Sequence, residues 1–146
     1  MPLTPKALNL LSLARKGGRI QLGEEAVGAA CRAGHARLVI LASDAGGNVT
    51  RRANSFVHNS SAPLLCLSFT RDEIGSAVGR SSCAIGAITD VALALAFVEA
   101  LDQPEQNSQL LQELQARVQR VQQRKQEEKA HQKNKRYGKK KQEVSK

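Results

Sequence analysis

Three glycines and three cations stand near the front of this chain in a spacing that suits anion binding. Arg15-Lys16-Gly17-Gly18-Arg19 reads as a basic turn, and Gly23-Glu24-Glu25 then opens a helix. Lys16 and Arg19 supply charge, while Gly17, Gly18 and Gly23 let a ligand backbone approach. The free N–H groups of a helix N-terminus favour phosphate. Glu24 and Glu25 have two readings. They match the positive end of the helix dipole, or one of them accepts from a base amino group in a nucleic-acid groove. Arg32 and Arg37 read as a solvated face, with contact to the same ligand as the alternative.

Those residues need elements to hold them, and helices alternate with strands along the chain. Thr4 suits an N-cap with Pro5 at the first helical position, and Gly17 suits the C-terminal stop. Ala7, Leu8, Leu10, Leu11 and Ala14 make the apolar face between them. Arg19 to Leu22 reads as a short strand, Gly23 to Ala33 as a second helix, and Leu38 to Leu41 as a buried strand. Asn48 would cap a third helix. Leu64 to Leu67 is a third strand after Pro63. Thr70-Arg71-Asp72-Glu73 fits a capping box, for a helix that ends at Gly79. Cys83 to Ile88 is a fourth strand. Thr89-Asp90 cap a last helix, through about Leu101, that is apolar nearly all round and therefore expected to be buried. This alternation predicts a sheet covered on both faces.

Charge divides the chain. The formal net charge of +9 is carried unevenly: ten Lys/Arg against seven Asp/Glu in residues 1–101, and twelve against six in 102–146. The domain is therefore expected at 1–101, with a Gln- and Lys-rich tail at 102–146. Leu111, Leu114, Val118 and Val121 follow heptad spacing, but two repeats fall short of a coiled coil. The expectation is a nascent helix over about 110–126 and a disordered basic end beyond it. Seven Lys/Arg and no acid between Lys129 and Lys141 point to a polyanion, nucleic acid or an anionic surface.

Several chemistries are excluded. Cys31, Cys66 and Cys83 lack the spacing of a disulfide framework or zinc site, which suits a reducing cytosol. Val91 to Val98 is too short to cross a bilayer, and no signal-peptide pattern opens the chain. Gly75 to Ser81 is not a Walker A loop: it has Arg80 in place of Lys and follows a helix. Asp44-Ala45-Gly46-Gly47 reads as a helix-capping turn. His35, His58 and His131 have no ligand spacing, and Gly34 separates Cys31 from His35. No nucleophile elbow or carboxylate pair is present, so no catalysis and no cofactor are expected. Aromatics are only 3% of the chain, with no Trp. Readers of single strands stack bases on aromatic rings, so a nucleic-acid partner should be folded.

Leu10 to Leu101 resembles the L7Ae/L30e ribosomal-protein family, most closely its small bacterial L7Ae-like (YlxQ-type) members. Four stretches carry the resemblance, in family order and spacing: Leu13 to Gly18, Gly23 through Arg32 to Asp44, Pro63 through Thr70 to Arg80, and Ala87-Ile88-Thr89-Asp90. It implies a three-layer α/β/α sandwich around a four-stranded mixed sheet. It also implies binding of structured RNA, kink-turn-like or ribosomal, and the chain is expected to be a cytoplasmic, monomeric, non-enzymatic protein. The site would be the start of helix two and the loop before the last strand. On this sequence that set is Lys16, Gly17, Gly18, Arg19, Gly23, Glu24, Glu25, Arg80, Ser81 and Ser82. Arg80 is read as a phosphate partner or as a favourable charge at a helix C-terminus. Lys133, Lys135, Arg136, Lys139, Lys140 and Lys141 would add tail contacts to phosphate. The chain departs from kink-turn readers at three places: Glu25, Ala26 and Ala29 stand where Asn, Glu and Lys are usual. A protein–protein adaptor that docks through the tail helix is the alternative.

Overall fold

Leu38–Leu41 forms strand β2, and all four of its residues are buried. Successive side chains of a strand point to opposite faces, so a run buried throughout needs cover on both. Leu38 and Ile40 join one apolar cluster, and Val39 and Leu41 join another. The other strands are β1 (Ile20–Leu22), β3 (Leu64–Cys66) and β4 (Ile85–Ile88), in the sheet order β1-β4-β2-β3. β4 runs antiparallel to both β1 and β2, and β2 runs parallel to β3. The sheet is therefore mixed, as expected.

The protein is described by a computed structural model covering residues 5–144, with side chains described as far as residue 132. Helices α2 (Glu24–Arg32) and α3 (Gly47–His58) cover one face of the sheet through Val27, Ala30, Cys31 and Ala53. Helices α1 (Lys6–Lys16), α4 (Arg71–Val78) and α5 (Val91–Ala100) cover the other through Leu11, Ile74 and Phe97. This is the three-layer α/β/α sandwich.

Local signals set the starts of α4 and α5. Thr70 Oγ1 accepts from the Glu73 N–H at 3.2 Å, and Glu73 Oε1 accepts from the Thr70 N–H at 3.1 Å, which completes the capping box. Asp90 Oδ1 accepts from the Ala92 N–H at 2.9 Å at the head of α5. Two starts differ from expectation. Pro5 has the extended ψ of 141° and is itself the N-cap of α1, and Thr4 lies outside the described residues. α3 is capped by Gly46 rather than Asn48, whose side-chain oxygen instead accepts from Arg51.

The tail supplies the largest difference. Helix α6 spans Ser108–Val144 and continues well past Gln126. Its first three turns run back along α5 toward Val91. Leu114 is fully buried in the α1/α4/α5 cluster, and Leu110, Leu111 and Val118 pack against it. This explains why α5 is apolar nearly all round: the sheet covers one side and α6 another. At 1.5 Å per residue α6 is about 55 Å long, while the ten residues of α5 span about 15 Å, so most of α6 projects beyond it. Leu114→Ala should lower the unfolding free energy by about 2–5 kcal/mol, read as a fall in the urea midpoint. A shift no larger than that of the exposed Val121→Ala would show that α6 does not share the core.

Candidate nucleic-acid interface

Two of the sequence-predicted segments meet at one end of the sheet. Gly23 holds φ +92° and ψ 159°, a backbone open to glycine and strained for other residues. Its N–H donates to the Ile85 carbonyl at 3.2 Å, which ties the start of α2 to the start of β4. Among the described residues no side chain caps α2, which leaves its first-turn N–H groups without a capping partner. The Arg80 guanidinium lies over this point. Its Nη1 is 3.9 Å from where a Cβ on Gly23 would stand.

The loop that carries Arg80 is clamped by its backbone. Gly79 closes α4 in the left-handed conformation, and the Arg80 N–H donates to the Gly75 carbonyl at 2.8 Å. The Cys83 N–H donates to the Arg71 carbonyl at 2.9 Å. A Cβ on Gly75 would stand 2.8 Å from both Cα and N of Ser82. These are backbone atoms that cannot swing aside, so the approach requires glycine. Arg80, Ser81 and Ser82 are all exposed on this fixed loop.

The two glutamates divide. Glu24 is engaged at the surface: its carboxylate pairs with Arg52 of α3, whose guanidinium lies 5.6 Å from the centroid of the Phe56 ring. It therefore serves as a tether between helices as well as a dipole match. An exposed pair of this kind contributes at most about 1 kcal/mol. Glu25 is exposed and pairs with no cation among the described residues. Ala26, Ala29 and Ala33 line a shallow groove with His35 and Arg37.

Lys16, Gly17, Gly18 and Arg19 do not join this cluster. β1 separates them from Gly23, and four residues of extended chain span about 13 Å. Arg19 sits at the other end of the sheet. Its carbonyl accepts from the Thr89 N–H at 2.9 Å, and its guanidinium pairs with Asp90 at 3.2 Å. The side chains of Lys133, Lys135, Arg136, Lys139, Lys140 and Lys141 lie outside the described residues.

Other chemistry-bearing residues have structural work. Asp44 Oδ1 accepts from the Arg71 N–H at 2.8 Å, which joins the end of β2 to the head of α4. Burial pushes the Cys31 and Cys83 thiols above their ordinary value, against weaker opposing hydrogen bonds. Arg52, Arg117, Arg120 and Arg124 were not among the residues expected at the site. The signal for the last three was their spacing of three and four residues, which sets them on one helix face.

Two outcomes follow from this geometry. Gly75→Ala forces the Arg80 loop off α4, with an expected loss of about 1–3 kcal/mol. A thermal melt unchanged from the parent would show that the clamp is absent. A thiol reagent at neutral pH should modify the exposed Cys66 first, with Cys31 and Cys83 reacting only on unfolding. The native state prefers both buried thiols protonated. The stability this contributes is present below their ordinary pKa of 9.0 and declines as pH rises past it. Equal labelling rates for all three would contradict this.

No family model matches the chain. Solved structures do. A protein of unknown function from Bacillus halodurans superposes with a TM-score of 0.62 at 27% identity, over 68% of this chain and 99% of that one. A 15.5kD RNA-binding protein from Giardia lamblia superposes with a TM-score of 0.56 at 22% identity, over 67% of this chain and 83% of that one. With the sheet order and the layers described above, these likenesses give the chain an L7Ae-like α/β/α fold.

Proposed function

We propose that this chain binds structured RNA, without catalysis, through the α2 N-terminus and the α4–β4 loop. The observation that carries the reading is the placement of Arg80 over Gly23. A cation on a backbone-clamped loop, two serine hydroxyls and the first-turn N–H groups of α2 then stand on one exposed surface. That combination suits a phosphate backbone brought close to a glycine. The fold shared with a Giardia RNA-binding protein supports the same class of partner. The excess of cations and the scarcity of aromatics favour a folded RNA read by shape and phosphate.

The finer reading is a small bacterial L7Ae-like (YlxQ-type) protein, a cytoplasmic monomer that binds a kinked or ribosomal RNA. Lys133, Lys135, Arg136, Lys139, Lys140 and Lys141 would add phosphate contacts that do not depend on sequence. Ala26 and Ala29 narrow the mode of recognition. Neither can donate to a base edge, so Arg80, Ser81, Ser82 and Glu25 are left to distinguish the bent RNA from a straight one. The adaptor alternative loses support because Leu111, Leu114 and Val118 of the seam are spent on the domain itself.

Fluorescence anisotropy with full-length protein tests the reading on a kinked duplex and a straight duplex of equal length. The kinked RNA should bind more tightly. Arg80→Gln should weaken that binding and lower the log–log salt slope by about 1. Equal affinity for the two RNAs would remove the structural preference, and binding to neither would remove the RNA.

A further inference from the structure

We infer that the end of the sheet opposite Gly23 is a second RNA-backbone surface, formed by Arg37 together with Arg120 and Arg124 of α6. The inference rests on the RNA-binding reading above and adds a second, separate contact to it. Arg37 stands just before β2. Its N–H donates to the Ile88 carbonyl at 2.8 Å, which places it at the far end of β4. Its Nη1 donates to the Gly34 carbonyl at 3.0 Å, which restrains the side chain. On α6, Arg117 Nη2 donates to the Ser61 carbonyl at 2.8 Å and to Glu113 Oε1 at 2.6 Å. That double contact locks α6 against the loop before β3. Arg120 and Arg124 follow on the same helix face, about one turn apart, and line one depression with Arg37 and Arg117.

Charge and composition select the partner. Glu113 is the acid in this depression, and Arg117 already occupies it. Among the described residues no carboxylate lies within ion-pair distance of Arg37, Arg120 or Arg124. Arg120 Nε donates to the Ala116 carbonyl at 3.4 Å, and the three guanidiniums, none with a carboxylate partner, suit the oxygens of successive phosphates. Val121 is the exposed large apolar side chain here, and no aromatic ring accompanies it. A membrane-inserting face or a protein hot spot would carry more apolar surface. The surface sits a strand's length from Arg80, since Gly23 bonds to Ile85 and Arg37 to Ile88. An RNA must therefore extend past the primary contact to reach it.

The test uses full-length protein and kinked RNAs with short or long arms. Arg37→Gln/Arg120→Gln/Arg124→Gln should leave short-armed binding at the parent value. It should weaken long-armed binding and lower its log–log salt slope by about 2–3. A charge-matched control, Lys6→Gln/Arg51→Gln/Arg71→Gln, should not reproduce that difference. Arg124→Glu alone, a change at an exposed side chain, provides the same readout if the triple variant unfolds. Parent-like binding of the long-armed RNA, equal losses on both RNAs, or the same loss in the control each overturns this surface alone. Failure of the parent protein to bind either RNA overturns the underlying reading as well. Sensitivity of the triple variant only towards phosphatidylserine vesicles would reassign the surface to lipid.

Discussion

β4 is the constraint on which the rest of this structure depends. It is the central antiparallel strand, flanked by β1 on one side and β2 on the other, and all four of its residues are buried. Its backbone also anchors what lies beyond its ends. The carbonyl of Ile85 holds Gly23 and so the head of α2, while the carbonyl of Ile88 holds Arg37 and the N–H of Thr89 holds Arg19. Because the four residues of β4 are extended, they hold the cationic groups anchored at their two ends about a strand's length apart. The separation of Arg80 from Arg37 is therefore a property of the sheet and not of mobile loops.

The two helical layers have different consequences. On the α2/α3 side small residues, Ala30, Cys31, Ala53 and Ala87 among them, share the cluster with Val27, Val39, Leu41 and Ile85. On the other side Leu11, Leu38, Ile74 and Phe97 make a larger cluster, and α5 needs a further cover. α6 provides it. The segment whose composition looks most like a solvated tail thus contributes Leu114 to the core, and the packing of its first turns aims the basic remainder. Ordering a Lys- and Gln-rich segment has an entropic cost that only buried apolar contacts offset. Those contacts lie in the seam from Leu110 to Val118, next to the domain.

What was legible in the sequence was local. The capping box at Thr70 and Glu73, the cap at Asp90 and the buried run at Leu38 to Leu41 each follow from interactions within a few residues, and each stands in the structure. The layered fold was legible from the alternation of helices and strands. The neighbour of each strand was not. Residues 15–25 look like one anion site when read along the chain, because sequence distance hides that three of the intervening residues are extended. Strand pairing across some seventy residues then sends Arg19 to Asp90 and Gly23 to Arg80. The seam at Leu111 to Val121 was visible as a seam, but an apolar stripe does not name its partner. Its partner is α5, whose own excess of apolar residues was the complementary signal.

The residues at the head of α2 gain meaning from this arrangement. Contacts to phosphate position a protein on a nucleic acid, and contacts to base edges specify the sequence. With Ala26 and Ala29 in place, and Glu24 held by Arg52, α2 retains few side chains that reach a base. Arg80 and the free N–H groups favour phosphate. Such a surface, under the proposed reading, recognises where a backbone bends rather than which bases bend it. Shape recognition gains from a second fixed point, since one cationic contact fixes a location and two separated contacts fix a direction. A 13 Å strand with guanidiniums mounted at both ends meets that requirement without any further base-reading side chain.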